Sequence, residues 1–325
     1  YLGVRGTLEE GLPQGADTMR GTYLNGFYDI VPMKQAEKLY GLVEDKEAML
    51  NVADTQNLSI ELDGERFSYF TGSVLQTERL LDMDQGFTQR DATWRSPSGK
   101  TLQLSFRRMA SFVVPNLFCI ECTLTSVDCS GHVRFRSTQE GLVRNYANAE
   151  DPRLADDAGC HLTPAGHKLT DNHCCLLSRT LQTGLTVCSC VAHELSVPAQ
   201  SAIVYDEARH STTFTFDLDV SQGDTIRLVK YATFADTTRT ADSLAAAKNA
   251  MDRCFGRLAE LYRQQAEYLA DFWHGAQMEI LGNDEDDRSM CFNMYQLLQS
   301  VGRDGRCSIA AKGLSGEGYE GHYFW

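Results

Sequence analysis

Positive charge is scarce in this chain. Lys and Arg number 30 against 44 Asp and Glu, a formal net charge of −14. Nucleic-acid phosphates are bound through clusters of Lys and Arg, so this balance argues against a nucleic-acid partner. Long hydrophobic runs are lacking too. No apolar stretch approaches the roughly 20 residues that cross a bilayer, so no membrane span is expected. Several enzyme signatures are missing: there is no G-x-S-x-G elbow and no Walker loop. Gly3-x-x-Gly6 lacks the rest of a dinucleotide fingerprint and its βαβ setting. His132, His161, His167, His173, His193, His210 and His274 are scattered without metal-ligand spacing, so each is expected to be structural or exposed and no metal is expected. No secretory leader is visible, but the chain opens on Tyr1 rather than Met, so that absence is uninformative.

Cysteine is plentiful, with 11 residues. Cys119-x-x-Cys122 has no second C-x-x-C or His pair at finger-like spacing, which removes the usual zinc pattern. Cys188 and Cys190 share one face if their segment is a strand. The cysteines sit in apolar runs such as Leu117-Phe118-Cys119-Ile120, where free cysteine is commonly buried. Reduced core thiols in a cytoplasmic protein are expected, with a disulfide as the alternative.

At 325 residues, two structural units are the prior expectation. From about residue 51 to 233, short alternating segments separated by turn signals read as antiparallel strands. They include 58–62, 101–106, 117–125, 133–136, 185–191, 212–218 and 225–231, with a hairpin turn at Asp63-Gly64. Many strands without interleaved helices indicate a large β-sandwich. The polar stretches 148–157 and 163–171 read as loops. After Asp236 the period changes. Asp242 is a plausible N-cap, and Leu244, Ala247, Met251, Phe255, Leu258, Tyr262, Leu269 and Trp273 recur at helical spacing up to a terminator at Gly275. One helix of roughly 50 Å is expected there. Asn283–Asp287 forms an acidic start for a second helix through about Gly302.

The final stretch, Lys312 to Trp325 (K-G-L-S-G-E-G-Y-E-G-H-Y-F-W), is unlike a core segment. Its glycines allow close backbone approach, and Tyr323-Phe324-Trp325 supplies flat faces with polar tips, the combination sugar rings require. The run resembles the segment opening the catalytic barrel of family 65 glycoside hydrolases, which include maltose, kojibiose, nigerose and trehalose phosphorylases and the acid trehalases. Two further matches follow the family's order. One comprises Tyr1-Leu2-Gly3-Val4-Arg5-Gly6, Glu9-Glu10-Gly11 and Gly21 to Asp29 (G-T-Y-L-N-G-F-Y-D). The other is Arg79 to Arg90 (R-L-L-D-M-D-Q-G-F-T-Q-R).

The resemblance implies a mainly β plus α protein: a large antiparallel β-sandwich, linker helices and the start of an (α/α)6 barrel. The expected boundaries are 1–236 for the sandwich (its first strands missing), 237–282 for the linker and 283–325 for the opening of the barrel. It implies an inverting phosphorylase that converts an α-linked glucose disaccharide and inorganic phosphate into β-glucose 1-phosphate and a free sugar, without another cofactor. A hydrolase of the same family, such as an acid trehalase, and a non-catalytic carbohydrate-binding sandwich are the alternatives. In the family, the general acid and the phosphate-binding residues lie downstream of this motif, so no catalytic residue is assigned and the chain alone is expected to be inactive. Glu317 and Glu320 are therefore not taken as the acid. Trp325 carries over as a sugar contact, with Phe324, Tyr323, His322 and Arg5 as further candidates. Tyr23, Asn25 and Tyr28 are expected in turn or packing roles, and Glu9-Glu10 as a charged surface pair. A homodimer is suggested for the full-length protein.

Overall fold

The computed structural model describes residues 1–6, 8–13, 19–32, 41, 44–147, 159–170, 172–276, 278–309 and 313–314. Among these, strands occupy the chain to Asp236 and three helices follow. β1 (Leu2–Arg5), β2 (Gly21–Pro32) and β3 (Asp45–Asn51) form a small antiparallel sheet. β4 (Leu58–Leu62) and β5 (Glu65–Arg66) lead into a meander of β6 (Ser73–Asp82), β7 (Phe87–Arg95), β8 (Thr101–Ala110) and β9 (Leu117–Ser126). Then come β10 (Gly131–Glu140), β11 (Leu162–Leu169), β12 (His173–Thr180), β13 (Thr186–Leu195), β14 (Gln200–Asp206), β15 (Ser211–Val220) and β16 (Thr225–Asp236). The helices are α1 (Ser243–Cys254), α2 (Leu258–Ala276) and α3 (Asp284–Ser300).

Two antiparallel sheets face one another. One has five strands in the order β14-β15-β10-β4-β5, and the other eight, β11-β12-β13-β16-β9-β8-β7-β6. Leu58, Ile60, Val133, Phe135 and Phe214 of the smaller sheet meet Trp94, Leu104, Phe106, Ile120, Leu228 and Phe234 of the larger in one continuous core. Each such side chain contributes roughly 1.5–3 kcal/mol by leaving water. The expected sandwich is therefore present. Alternation is clean in β7 and β10, whereas β16 is buried at nearly every position beyond its start. The reason is a second layer: α1 lies on the outer face of the large sheet, where Ala247, Met251 and Cys254 pack on Cys119, Cys188, Cys190, Val229 and Tyr231.

Two expectations are corrected. The polar stretch 163–171 was expected as a loop, but most of it is strand β11, paired with β12 and exposed along almost its whole length. An edge strand with little to bury carries no apolar alternation, so periodicity does not reveal it. The single 50 Å helix is broken into α1 and α2. Phe255 leaves helical geometry (ψ 134°), and Gly256 takes φ +75°, a left-handed conformation that ends helices and suits glycine. Apolar spacing continues across the break because both segments pack on the same sheet. The N-cap expected at Asp242 and the helix start expected at Asn283–Asp287 are both present. Asp242 accepts from Ala245 N at 2.9 Å, and Asn283 accepts from Glu285 N and Asp286 N. No helix among the described residues is long and apolar enough to cross a membrane.

Candidate functional site

The site is assembled where β1 meets the strand ends of the large sheet and α3. β1 pairs antiparallel with β2, with Leu2 opposite Leu24 and Arg5 opposite Gly21, and Leu2 N donates to Pro115 O at 3.0 Å. Gly3 explains the glycine at that position. A Cβ there would lie 2.2 Å from Leu314 Cβ and 2.3 Å from Leu314 O, so the backbone at 313–314 presses directly on the strand. Gly86 plays the matching part on the β6–β7 hairpin. It sits at φ +71°, and a Cβ would meet Gln265 Nε2 at 2.6 Å and Leu269 Cδ1 at 2.7 Å on α2. Gln265 is fully buried, donates to Gly86 O at 2.6 Å and accepts from Phe112 N at 2.8 Å, locking α2 to the sheet. Phe112, Leu269 and Tyr295 then close a small apolar cluster that seats α3.

Between these elements lies a cavity of about 530 Å³. Its walls come from β1 and Glu9, from Arg79–Leu81 and Gly86–Arg90, from the Tyr295–Ser300 face of α3, and from Arg303 and Gly313–Leu314. All three sequence motifs therefore contribute to one space, the last through its described residues Gly313 and Leu314. Arg5 is part of the wall, half-buried, its guanidinium 5.5 Å from the Tyr146 ring centroid. Trp325, Phe324, Tyr323 and His322, together with Lys312, Glu317 and Glu320, lie outside the described residues.

Glu9 and Glu10 overturn the expectation of a surface pair: they are 2% and 3% exposed. Arg90 donates to Glu9 Oε2 at 2.5 Å, to Glu10 Oε2 at 2.6 Å and to Glu10 Oε1 at 3.0 Å. Arg108 Nε lies 3.4 Å from Glu9 Oε1, and its guanidinium also donates to Gly6 O and Gln56. Burial alone would raise the Glu9 carboxyl, but Arg108 and Arg90 outweigh it and hold it below the usual carboxylate range. Glu9 is the only carboxylate among the described lining residues. A general acid in glycoside cleavage needs the opposite shift, so that it carries a proton at neutral pH. Glu9 is therefore a fixed anion that neutralises two arginines, and it is unsuited to protonate a leaving group.

What the cavity offers is binding chemistry. Phe87, Phe112 and Tyr295 supply apolar faces, and Gln89, Gln299 and Arg303 supply amide and guanidinium groups. Arg303 is held in place: it donates to Phe112 O at 3.1 Å and stacks 4.6 Å over the Phe112 ring. Arg239 ties the loop after α3 to the sandwich, donating to Asp304 Oδ2 at 2.7 Å, Asp236 Oδ2 at 3.1 Å and Asn25 O. Tyr23 and Asn25 are fully buried on β2, in accord with packing roles. Sequence reasoning missed the Arg90–Glu9–Glu10–Arg108 cluster because its members are about 80 and 100 positions apart and no local period marks them.

Family models match nearly all of the chain. That for the glycosyl hydrolase family 65 N-terminal domain covers residues 1–272, and that for the family 65 central catalytic domain covers residues 291–325. An alpha,alpha-trehalose phosphorylase of Geobacillus stearothermophilus is 38% identical over 100% of this chain and 42% of its own length. The Thermoanaerobacter brockii alpha,alpha-trehalose phosphorylase is 33% identical over 100% and 43%. A kojibiose phosphorylase of Halothermothrix orenii is 27% identical over 100% and 40%. A solved structure assigned as a kojibiose phosphorylase from the human microbiome superposes with TM-score 0.87 at 18% identity, covering 100% of this chain and 42% of that one. The chain thus spans about two fifths of the length of the relatives it matches.

Proposed function

The chain belongs to glycosyl hydrolase family 65, and from that premise we propose that it forms the sandwich, helical linker and first part of the (α/α)6 barrel of a disaccharide phosphorylase. The observation that carries this reading is the similarity to trehalose phosphorylases along the whole chain, 38% and 33% identical. Those values exceed the 27% for the kojibiose enzyme, which puts α,α-trehalose first among candidate substrates.

The proposed reaction is inverting phosphorolysis. A carboxylic acid protonates the glycosidic oxygen as the bond to the anomeric carbon lengthens. A phosphate oxygen attacks that carbon from the opposite face, so the α-glucoside becomes β-glucose 1-phosphate and the second sugar leaves with the proton. Because phosphate is the nucleophile, no second carboxylate is needed to activate water. The ionised, doubly paired Glu9 fits a supporting part in this scheme rather than the acid's, and the acid is placed in the portion of the relatives that this chain does not span. In this reading Trp325, Phe324, Tyr323 and His322 face the glucose, and Arg5 borders the same space from the sandwich. The chain by itself is inactive.

Phosphorus NMR tests this on a protein that joins this chain to the remaining length its relatives possess. It is incubated with phosphate and, separately, trehalose, kojibiose, maltose and nigerose. A β-glucose 1-phosphate signal is expected with one sugar, trehalose first. Free glucose without a phosphate ester would make the protein a family 65 hydrolase such as an acid trehalase. In the same protein, Trp325→Ala is expected to weaken sugar binding by roughly 1–3 kcal/mol through loss of an aromatic contact. Unchanged kinetic constants would remove Trp325 from the site.

A further inference from the structure

On the outer face of the large sheet, well apart from the cavity, the ladder assembles a cluster that linear spacing hides. β12 and β13 are antiparallel with Cys175 opposite Cys190 and Leu177 opposite Cys188. Alternate residues of a strand share a face, so His173 and Cys175 on one strand and Cys188 and Cys190 on the next point the same way, toward α1. Cys175, Cys188 and Cys190 are fully buried, and His173 is half-buried at the β11–β12 turn. One ligand atom each from His173, Cys175 and Cys190 lies within 4.8 Å of the others. Cys175 Sγ is 2.8 Å from Cys190 Sγ, whereas Cys188 stands opposite Leu177, further along the ladder from His173, and is not one of this group.

The imidazole is set for ligation. Thr170 Oγ1 lies 3.1 Å from His173 Nδ1 and 3.1 Å from His173 O, and that carbonyl also accepts from Thr170 N. In the tautomer where Nδ1 donates to that hydroxyl, the lone pair is left on Nε2. Nε2 is buried and has no hydrogen-bond partner. A hydrogen bond on one imidazole nitrogen that orients the other is the usual support of a metal-bound histidine.

We propose that His173, Cys175 and Cys190 bind a zinc ion that fastens β12 to β13 beneath α1. Thiolate and imidazole are zinc's usual protein ligands, and a water on the half-exposed His173 side completes the four-coordination that zinc prefers. Zinc–sulfur bonds of about 2.3 Å put tetrahedral sulfurs ~3.8 Å apart, so Cys175 and Cys190 must separate by about 1 Å. Binding releases the thiol protons to solvent. The half-exposed His173 end gives the ion its way in.

The test is metal analysis of the chain, expressed with zinc and purified in reductant without oxygen. One zinc per chain is expected. Cobalt exchanged into the site should give the intense visible bands of a tetrahedral thiolate complex. Cys175→Ser and Cys190→Ser should abolish both signals, while Cys119→Ser, a buried thiol of the same core layer on β9, should keep them. Thr170→Val, in the turn outside the core, should lower zinc affinity roughly 10–100-fold by releasing the ring, and it keeps the test valid if a cysteine variant fails to fold. A metal-free chain with a featureless cobalt spectrum would overturn the proposal. Loss of two titratable thiols without metal would overturn it in favour of a Cys175–Cys190 disulfide, and uptake of copper(I) but not zinc would overturn the choice of ion.

Discussion

Two buried charges show what single residues contribute. Arg90 is enclosed by Glu9 and Glu10 at hydrogen-bond distance and lies 4.5 Å over the Phe106 ring. Removing one member of such a group leaves an uncompensated buried charge, which typically costs about 3–5 kcal/mol. Arg90→Met is expected to destabilise by that amount in urea unfolding, and adding Glu9→Gln and Glu10→Gln should recover part of the loss. Equal stability of the single and triple variants would show that the charges are not coupled. Lys230 is the opposite case, a 1% exposed ammonium whose nearest fixed partners are the carbonyls of Asn57 and Thr138, each 3.0 Å away. Burial pushes it down to about 7. Below that pH both folded and unfolded chains hold the proton, and the folded state bears the full cost of burying it. From pH 7 toward the ordinary lysine value of roughly 10.4, only the unfolded chain holds it, so stability rises with pH. Wild type should therefore gain stability between pH 7 and 10 relative to Lys230→Met, whose own profile lacks this component. Parallel profiles would mean that Lys230 is charged throughout.

At the scale of elements, the docking of α2 rests on a glycine and a glutamine that touch across 179 positions. Gly86→Ala places a methyl group where Gln265 and Leu269 already stand and forces a left-handed alanine, so a loss of about 1–3 kcal/mol is expected. Gln265→Leu keeps the bulk but leaves Phe112 N and Gly86 O unsatisfied, at about 1–3 kcal/mol for each group. Hydrogen exchange should show both changes first in the β6–β7 hairpin and α2; loss spread evenly over the sandwich would contradict this coupling. The Arg79–Arg90 motif is thus explained mechanically: its glycine admits a helix, and its arginine neutralises two glutamates.

At the scale of the whole molecule, α3 is attached by one face only. Tyr295 is 3% exposed against Phe112 and Leu269, while Leu297 on the opposite side is 64% exposed and Phe292 42%. Apolar groups left on a helix surface favour association, and the proposed barrel would give them neighbours. Leu297→Gln with Phe292→Gln should reduce self-association of this chain in light scattering while leaving its melting temperature nearly unchanged. A large drop in melting temperature would mean that these side chains already stabilise the fold. The cavity belongs to this scale too, since its walls come from residues 2–9, 79–90, 295–303 and 313–314, and no shorter unit contains it.

The sequence by itself determined the β-then-α order, the sandwich, the N-cap at Asp242, the start of the last helix and the family. These depend on periods of two and 3.6 residues, on caps within three residues of a helix start, and on contiguous motifs, all of which are local. It did not determine that Glu9 and Glu10 are buried, that one helical period becomes two helices, that β11 pairs at an edge, or that H-x-C and C-x-C thirteen residues apart meet across a ladder. The H-x-C and C-x-C spacings carry the strand period and could have raised the cysteine cluster as a question, but not its pairing. Only the tertiary structure decided these points, because each depends on which distant segment lies opposite. Strand register and sheet packing set that, and a single-residue slip would turn every one of those side chains to the other face.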